Sequence, residues 1–144
     1  WTLGLTASKM LSQTLTLSLE ASTFRFQPYT YDNADRVQFG AENRLNAAFS
    51  WRALTLAEQS FRLDPVLEVQ YLSIGRDRTN GVGERGTGGR MVYLLPGVRA
   101  YWHNASFALG LKKPVWTDLN ESGTQQGAEG KEKYRLIFSA SLMF

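Results

Sequence analysis

The sequence predicts an all-β fold, wound as an antiparallel up-and-down β-barrel of the membrane-spanning kind, and three observations carry that reading. Apolar and polar residues alternate along seven segments of the 144-residue chain, the period-two signature of strands with one greasy face. The connections between those segments alternate in length, short then long without a break. Aromatic residues collect toward both ends of the segments and leave the middles aliphatic.

Each segment carries its own alternation. Thr2–Lys9 sets Leu3, Leu5 and Ala7 against Thr2, Gly4, Thr6 and Ser8. Thr14–Phe26 sets Leu15, Leu17, Leu19 and Ala21 against Thr16, Ser18, Glu20 and Ser22; its phase slips at Phe24 and Phe26, where a bulge or strand end is expected. Arg36–Ala53 is the longest, with Val37, Phe39, Ala41, Leu45, Ala47, Phe49 and Trp51 opposite Gln38, Gly40, Glu42, Arg44, Asn46, Ser50 and Arg52. The one helix candidate is Thr55–Phe61, with Thr55 as N-cap and Glu58 three positions on.

Leu63–Asp77 then sets Leu63, Pro65, Leu67, Val69 and Tyr71 against Asp64, Glu68, Gln70 and Arg76. In Met91–Trp102, Val92, Leu94, Val98, Ala100 and Trp102 oppose Tyr93, Gly97, Arg99 and Tyr101. Pro96 lies in its middle and cannot donate to a ladder, so a bulge is expected at Pro96-Gly97. Ser106–Trp116 sets Phe107, Leu109, Leu111 and Val115 against Ser106, Ala108, Gly110 and Lys112. The seventh segment is the terminal "YRLIFSASLMF", from Tyr134 to Phe144.

Short connections fall at "MLSQ", "TLAEQSF" and "HN", and long polar ones at "QPYTYDNAD", "RTNGVGERGTGG" and "LNESGTQQGAEGKEK". Outer-membrane barrels have short periplasmic turns and long extracellular loops, so this parity puts the C-terminus on the periplasmic side.

Composition narrows the function classes. A net charge of +3 with basic and acidic residues interspersed gives no footprint for nucleic acid. With no cysteine there are no disulfides, thiolate metal sites or cysteine nucleophiles. Mean hydropathy is slightly negative, and no apolar run is long enough for a transmembrane helix, which strands of a barrel do not need.

The polar row carries Glu20, Glu42, Arg44, Arg52, Glu68, Arg76, Arg99, Lys112 and Arg135, charges of both signs among Gly, Ser and Thr. Such a mixture suits a crowded, hydrated lumen in which opposite charges satisfy one another, and these residues are the candidate lumen lining. Phe49, Trp51, Phe61, Trp102, Phe107 and Phe144 gather toward the short-turn end. Phe26, Tyr29, Tyr31, Trp116 and Tyr134 gather toward the long-loop end, as two interfacial belts would.

Apolar residues alternate back from a terminal Phe through Phe144, Leu142, Ala140, Phe138, Leu136 and Tyr134. This segment resembles the C-terminal targeting strand of bacterial outer-membrane barrels, which the barrel-assembly machinery recognises. More loosely, "LLPGVRAYWHNASFALGLKKPVWTDLN" followed by "YRLIFSASLMF" resembles a proteobacterial family of outer-membrane transporters associated with the phenol-degradation MetA pathway. That resemblance implies a porin or transporter embedded in lipid and lipopolysaccharide; it identifies no functional residue.

Seven strands cannot close as an up-and-down barrel, because the first and last would run in the same direction. Either an eighth strand is hidden, giving a small barrel filled with side chains, or residues 1–144 form the C-terminal part of a larger even-stranded barrel. The start inside a strand, without Met or signal peptide, favours the larger barrel as the expectation.

Other motifs yield to blander readings. "GVGERG" at Gly81–Gly86 satisfies a dinucleotide fingerprint but is followed by a strand rather than a helix, so a loop is expected. "DNAD" at Asp32–Asp35 places carboxylates at a loop tip, where solvent suffices. "NAS" at Asn104 fits a glycosylation sequon within a two-residue turn. His103, with Asn104 and Ser106 nearby, lacks a third catalytic partner. No enzyme activity, cofactor or metal is expected. The functional expectation is passive passage of small solutes through a charge-lined lumen. The alternatives are a non-conducting scaffold that binds another envelope protein, and a soluble lipocalin-like carrier.

Overall fold

The computed structural model describes residues 1–32, 34–120 and 132–143. The strands are β1 (Thr2–Met10), β2 (Leu15–Phe24), β3 (Tyr29–Thr30), β4 (Arg36–Gln38), β5 (Glu42–Trp51), β6 (Leu54–Leu56), β7 (Phe61–Ile74), β8 (Arg78–Thr79), β9 (Val82–Gly83), β10 (Gly89–Trp102), β11 (Ala105–Leu119) and β12 (Arg135–Leu142). Seven long strands form one antiparallel meander in the order β1-β2-β5-β7-β10-β11-β12, with β6 also on β7. A second, smaller sheet runs β3-β4-β8-β9. Among the described residues no pairing joins β1 to β12, so the large sheet is open and these two strands are its edges.

The seven alternating segments correspond to the seven long strands, with four local differences. The predicted strand Arg36–Ala53 is broken between β4 and β5. The reason is a close backbone approach: a Cβ on Gly40 would lie 1.9 Å from the carbonyl oxygen of Gly75. Val37 faces Thr79 across β4 and β8 in the same register that pairs Glu42 with Ile74 across β5 and β7. The hairpin therefore bends at Gly40 and Gly75 without slipping. Gly75 N–H donates to the Ala41 carbonyl at 2.8 Å, and Gly40 N–H donates to Asp77 Oδ1 at 2.6 Å, which holds the bend.

The helix expected at Thr55–Phe61 is instead the short strand β6 and a 3₁₀ turn, Ala57–Gln59. Leu54, Thr55 and Leu56 pair with Leu63, Arg62 and Phe61 along the edge of β7 that β5 occupies further on. Thus β6 continues the line of β5 and supplies no eighth full strand. The segment is too short for the helical nucleus to outweigh three residues of ladder.

The bulge expected at Pro96-Gly97 lies elsewhere. Pairing of β10 with β7 runs unshifted through Pro96, while the register of β10 with β11 shifts between Val92 and Tyr93, opposite Pro114. Proline can sit at 96 because its missing donor faces a gap in the ladder to β11, between Leu94 and Gly97. Finally, two loops expected to be irregular contribute β3, β8 and β9, and β2 ends at Phe24, where the phase slip was expected.

Antiparallel pairing puts directly opposed residues on one face, so the register sorts the large sheet into two surfaces. One face carries Leu5, Ala21, Leu45 and Tyr71 in a continuous row, and further along Leu67, Val98, Leu109 and Phe138. This apolar face is the exposed one: Leu5 is 74 % and Phe138 67 % accessible. Trp51, Trp102 and Phe107 are exposed near the short turns, and Trp116 and Tyr134 near the opposite end.

Candidate functional site

The buried residues of the large sheet lie on its other, polar face. Asp64 is 2 % exposed and Tyr93 5 %, with Met91 beside it. Cross-strand register aligns Thr6, Glu20, Asn46, Gln70 and Tyr93 in one row, and Ser18, Ala48, Glu68 and Leu95 in the next. Alternation in sequence thus becomes a polar surface several strands wide. Toward the edge strands β1 and β12 this surface opens to solvent.

Three cations organise it, each paired with an oxygen and an aromatic ring. Arg62 Nε donates to both Asp64 oxygens at 2.9 Å, its Nη2 also reaches Oδ2, and its guanidinium lies 4.6 Å over Tyr101. Lys112 Nζ donates to Gln70 Oε1 and sits 3.9 Å over the Tyr93 ring. Arg44 Nη2 donates to Glu42 Oε2 at 2.7 Å, with its guanidinium 4.6 Å over Phe24. The ring face supplies negative potential where a second carboxylate is absent. Within this network, Arg44 Nε and Asn46 Oδ1 are buried and find no hydrogen-bond partner among the described residues.

Beside the network lies a recess of about 480 Å³ whose lining includes Glu68, Arg99, Tyr101, Ser106, Gly110 and Ser139. Small residues at Gly97 and Gly110 leave this space open between flanking charges. Arg135 pairs with Glu132 at 2.6 Å near the end of β12.

Of the expected lumen residues, Glu20, Glu42, Arg44, Glu68, Arg99, Lys112 and Arg135 lie in strands on this one face. Arg52 and Arg76 lie just beyond β5 and β7. Arg62 was missed because the predicted strand began one residue after it. An Arg-x-Asp spacing in phase with Glu68 and Gln70 was the available signal, since i and i+2 share a face. Tyr93 and Tyr101 stood on the polar row, but their role as ring partners needs cross-strand register.

Tyr134, Leu136, Phe138 and Leu142 of the expected assembly strand are all exposed, and Phe144 lies outside the described residues. His103 occupies the tight turn between β10 and β11 at a φ of 50°, its ring near Trp102. In "DNAD", Asp35 accepts from Asn80 Nδ2 at 3.0 Å, and Asn33 lies outside the described residues. No group of three metal-ligating side chains occurs among the described residues. Fixed charges of both signs, rings and small residues can hydrate and sort ions or brace an interior.

Comparison with known protein families, curated proteins and solved structures finds no match to the chain.

Proposed function

We propose that this chain forms part of a bacterial outer-membrane β-barrel, with its apolar face against lipid and its polar face lining a lumen through which small solutes pass. The observation that carries the reading is the inversion of the two faces: Asp64 is enclosed while the leucines opposite are open. Leaving a leucine exposed forgoes roughly 1.5–3 kcal/mol, against a total stability of about 5–15 kcal/mol. A face bearing Leu3, Leu5, Leu19, Leu45, Leu67 and Leu109 therefore needs a cover, and hydrocarbon is one that fits strands of this length. β2 and β5 have 10 residues each, within the roughly 9–11 that a tilted strand needs to cross a bilayer. A soluble carrier would require the reverse arrangement, apolar inside and polar outside.

The meander makes β1 and β12 parallel to one another, so an antiparallel seam requires an odd number of additional strands between them. Two copies in the same orientation would meet through parallel seams. The reading is accordingly a larger, even-stranded barrel, with β12 as the strand recognised by the assembly machinery and its end on the periplasmic side.

The test is single-channel recording of the protein, purified from its native membrane, in planar bilayers. Discrete conducting steps whose ion selectivity changes in Arg44→Gln or Arg135→Gln are expected. A second reading, a non-conducting scaffold for another envelope component, is favoured by the way Arg62–Asp64 and Lys112–Gln70 fill the polar face. Silence from folded, heat-modifiable protein would select it over the pore.

A further inference from the structure

Among the described residues, three arginines of the polar face hold carboxylates, whereas three that share a recess at the long-loop end do not. Arg44, Arg62 and Arg135 each hold a carboxylate. Arg25, Arg76 and Arg78 instead line one recess of about 490 Å³ between the end of β2, the Gly40–Gly75 bend and β8, and no carboxylate lines it. Among the described residues none of these three guanidiniums meets an acidic side chain.

Three acids of the adjoining loops hold neutral partners rather than these arginines. Asp77 accepts from Gly40 N–H at 2.6 Å, Asp35 from Asn80, and Glu84 from Thr79. Arg36, with Arg78, lines an adjoining recess and adds to the positive field. Three arginines lining one recess with no carboxylate among its lining residues offer guanidinium forks suited to a tetrahedral oxyanion. The exposed rings of Phe26 and Phe39, in edge contact at 6.1 Å, border the same recess.

We propose that this recess binds a phosphoryl group, carried by a phosphorylated amphiphile whose acyl part lies along the flanking rings. The carrier's identity rests on the membrane reading; the phosphate chemistry does not.

The test titrates the detergent-solubilised protein with diphosphoryl lipid A in one arm and inorganic phosphate in another, following ³¹P line broadening and retention in native mass spectrometry. Lipid A should be retained, and the triple variant Arg25→Gln/Arg76→Gln/Arg78→Gln should weaken retention by about tenfold or more, with wild-type retention also falling as salt rises. Lys9→Gln, near the short-turn end, should behave as wild type. Broadening of inorganic phosphate that the triple variant abolishes would support the site and identify a soluble phosphorylated ligand as its source. Retention unchanged in the triple variant, equal loss in Lys9→Gln, or no binding in either arm would overturn the proposal. Heat-modified gel mobility checks that each variant is folded. A protein that stays monodisperse without detergent would sink the membrane reading separately, leaving the inorganic phosphate arm to decide the site.

Discussion

Arg62 and Asp64 stand two residues apart on β7, on the same face, and the guanidinium Nε lies 2.9 Å from both carboxylate oxygens of a side chain that is almost wholly enclosed. An i, i+2 pair of this kind needs no second strand to find its partner, so it forms with the strand itself. The consequence is asymmetric. Arg62→Gln leaves the enclosed Asp64 carboxylate without its partner and is expected to destabilise the folded state by about 3–5 kcal/mol. Arg62→Met/Asp64→Leu together should recover much of that loss, because the pair's desolvation cost disappears with the pair. Urea unfolding in detergent micelles, with both variants compared to wild type, checks the ordering.

Leu45 discriminates between lipid and water outside the sheet. It is exposed near the middle of β5, and a surface substitution in a soluble protein costs within about 0.5 kcal/mol. Facing the bilayer midplane, Leu45→Arg should cost roughly 2–4 kcal/mol. Folding into phosphatidylcholine vesicles, scored by heat-modified mobility, reads the difference; an unchanged folding yield would remove the lipid-facing assignment.

Gly40 admits no side chain. A Cβ there meets the Gly75 carbonyl carbon at 2.4 Å as well as its oxygen, so Gly40→Val must open the bend or shift β7. Overpacking of this kind costs about 1–3 kcal/mol or more. The strain falls on the loop end, so limited proteolysis should cut the Gly40→Val variant between β3 and β9 before the long strands are lost. Equal cleavage rates in variant and wild type would count against the bend as a tight contact.

Glu68 and Arg99 line the same recess with opposite charge. In an open pore their neutralisation should move the reversal potential in opposite directions, Glu68→Gln toward anion preference and Arg99→Gln toward cation preference. A shift of the same sign from both, measured under a salt gradient, would mean that the recess is not on the conduction path.

The strands were legible because alternation is a local property. Leu3, Leu5 and Ala7 against Thr2, Thr6 and Ser8 already state that two faces meet different surroundings, and the register in β1 and β2 keeps those rows intact. The bend at Gly40 was not legible, since it depends on Gly75 arriving from β7, and neither glycine alone signals a close approach. The site divides the same way. Charges such as Glu42, Arg44 and Lys112 could be assigned to a face from parity, but the ring under each cation comes from cross-strand geometry. Lys112 meets Tyr93 from the neighbouring strand and Gln70 from the strand beyond, a contact with no counterpart in linear spacing.

The small sheet β3-β4-β8-β9 has a mechanical meaning. It stitches the loop that follows β2 to the loop that follows β7, through Val37 with Thr79 and through the Asn80 side chain, which accepts from Arg36 N–H at 2.9 Å and donates to Asp35. Two hairpins that could have swung independently are yoked into one plate. Any tilt of one loop then carries the other, and a residue inserted in either is felt by both. On the pore reading proposed above, an entrance framed by such a plate would be fixed in width by its own ladder, so selection there would act on what fits rather than on when it opens.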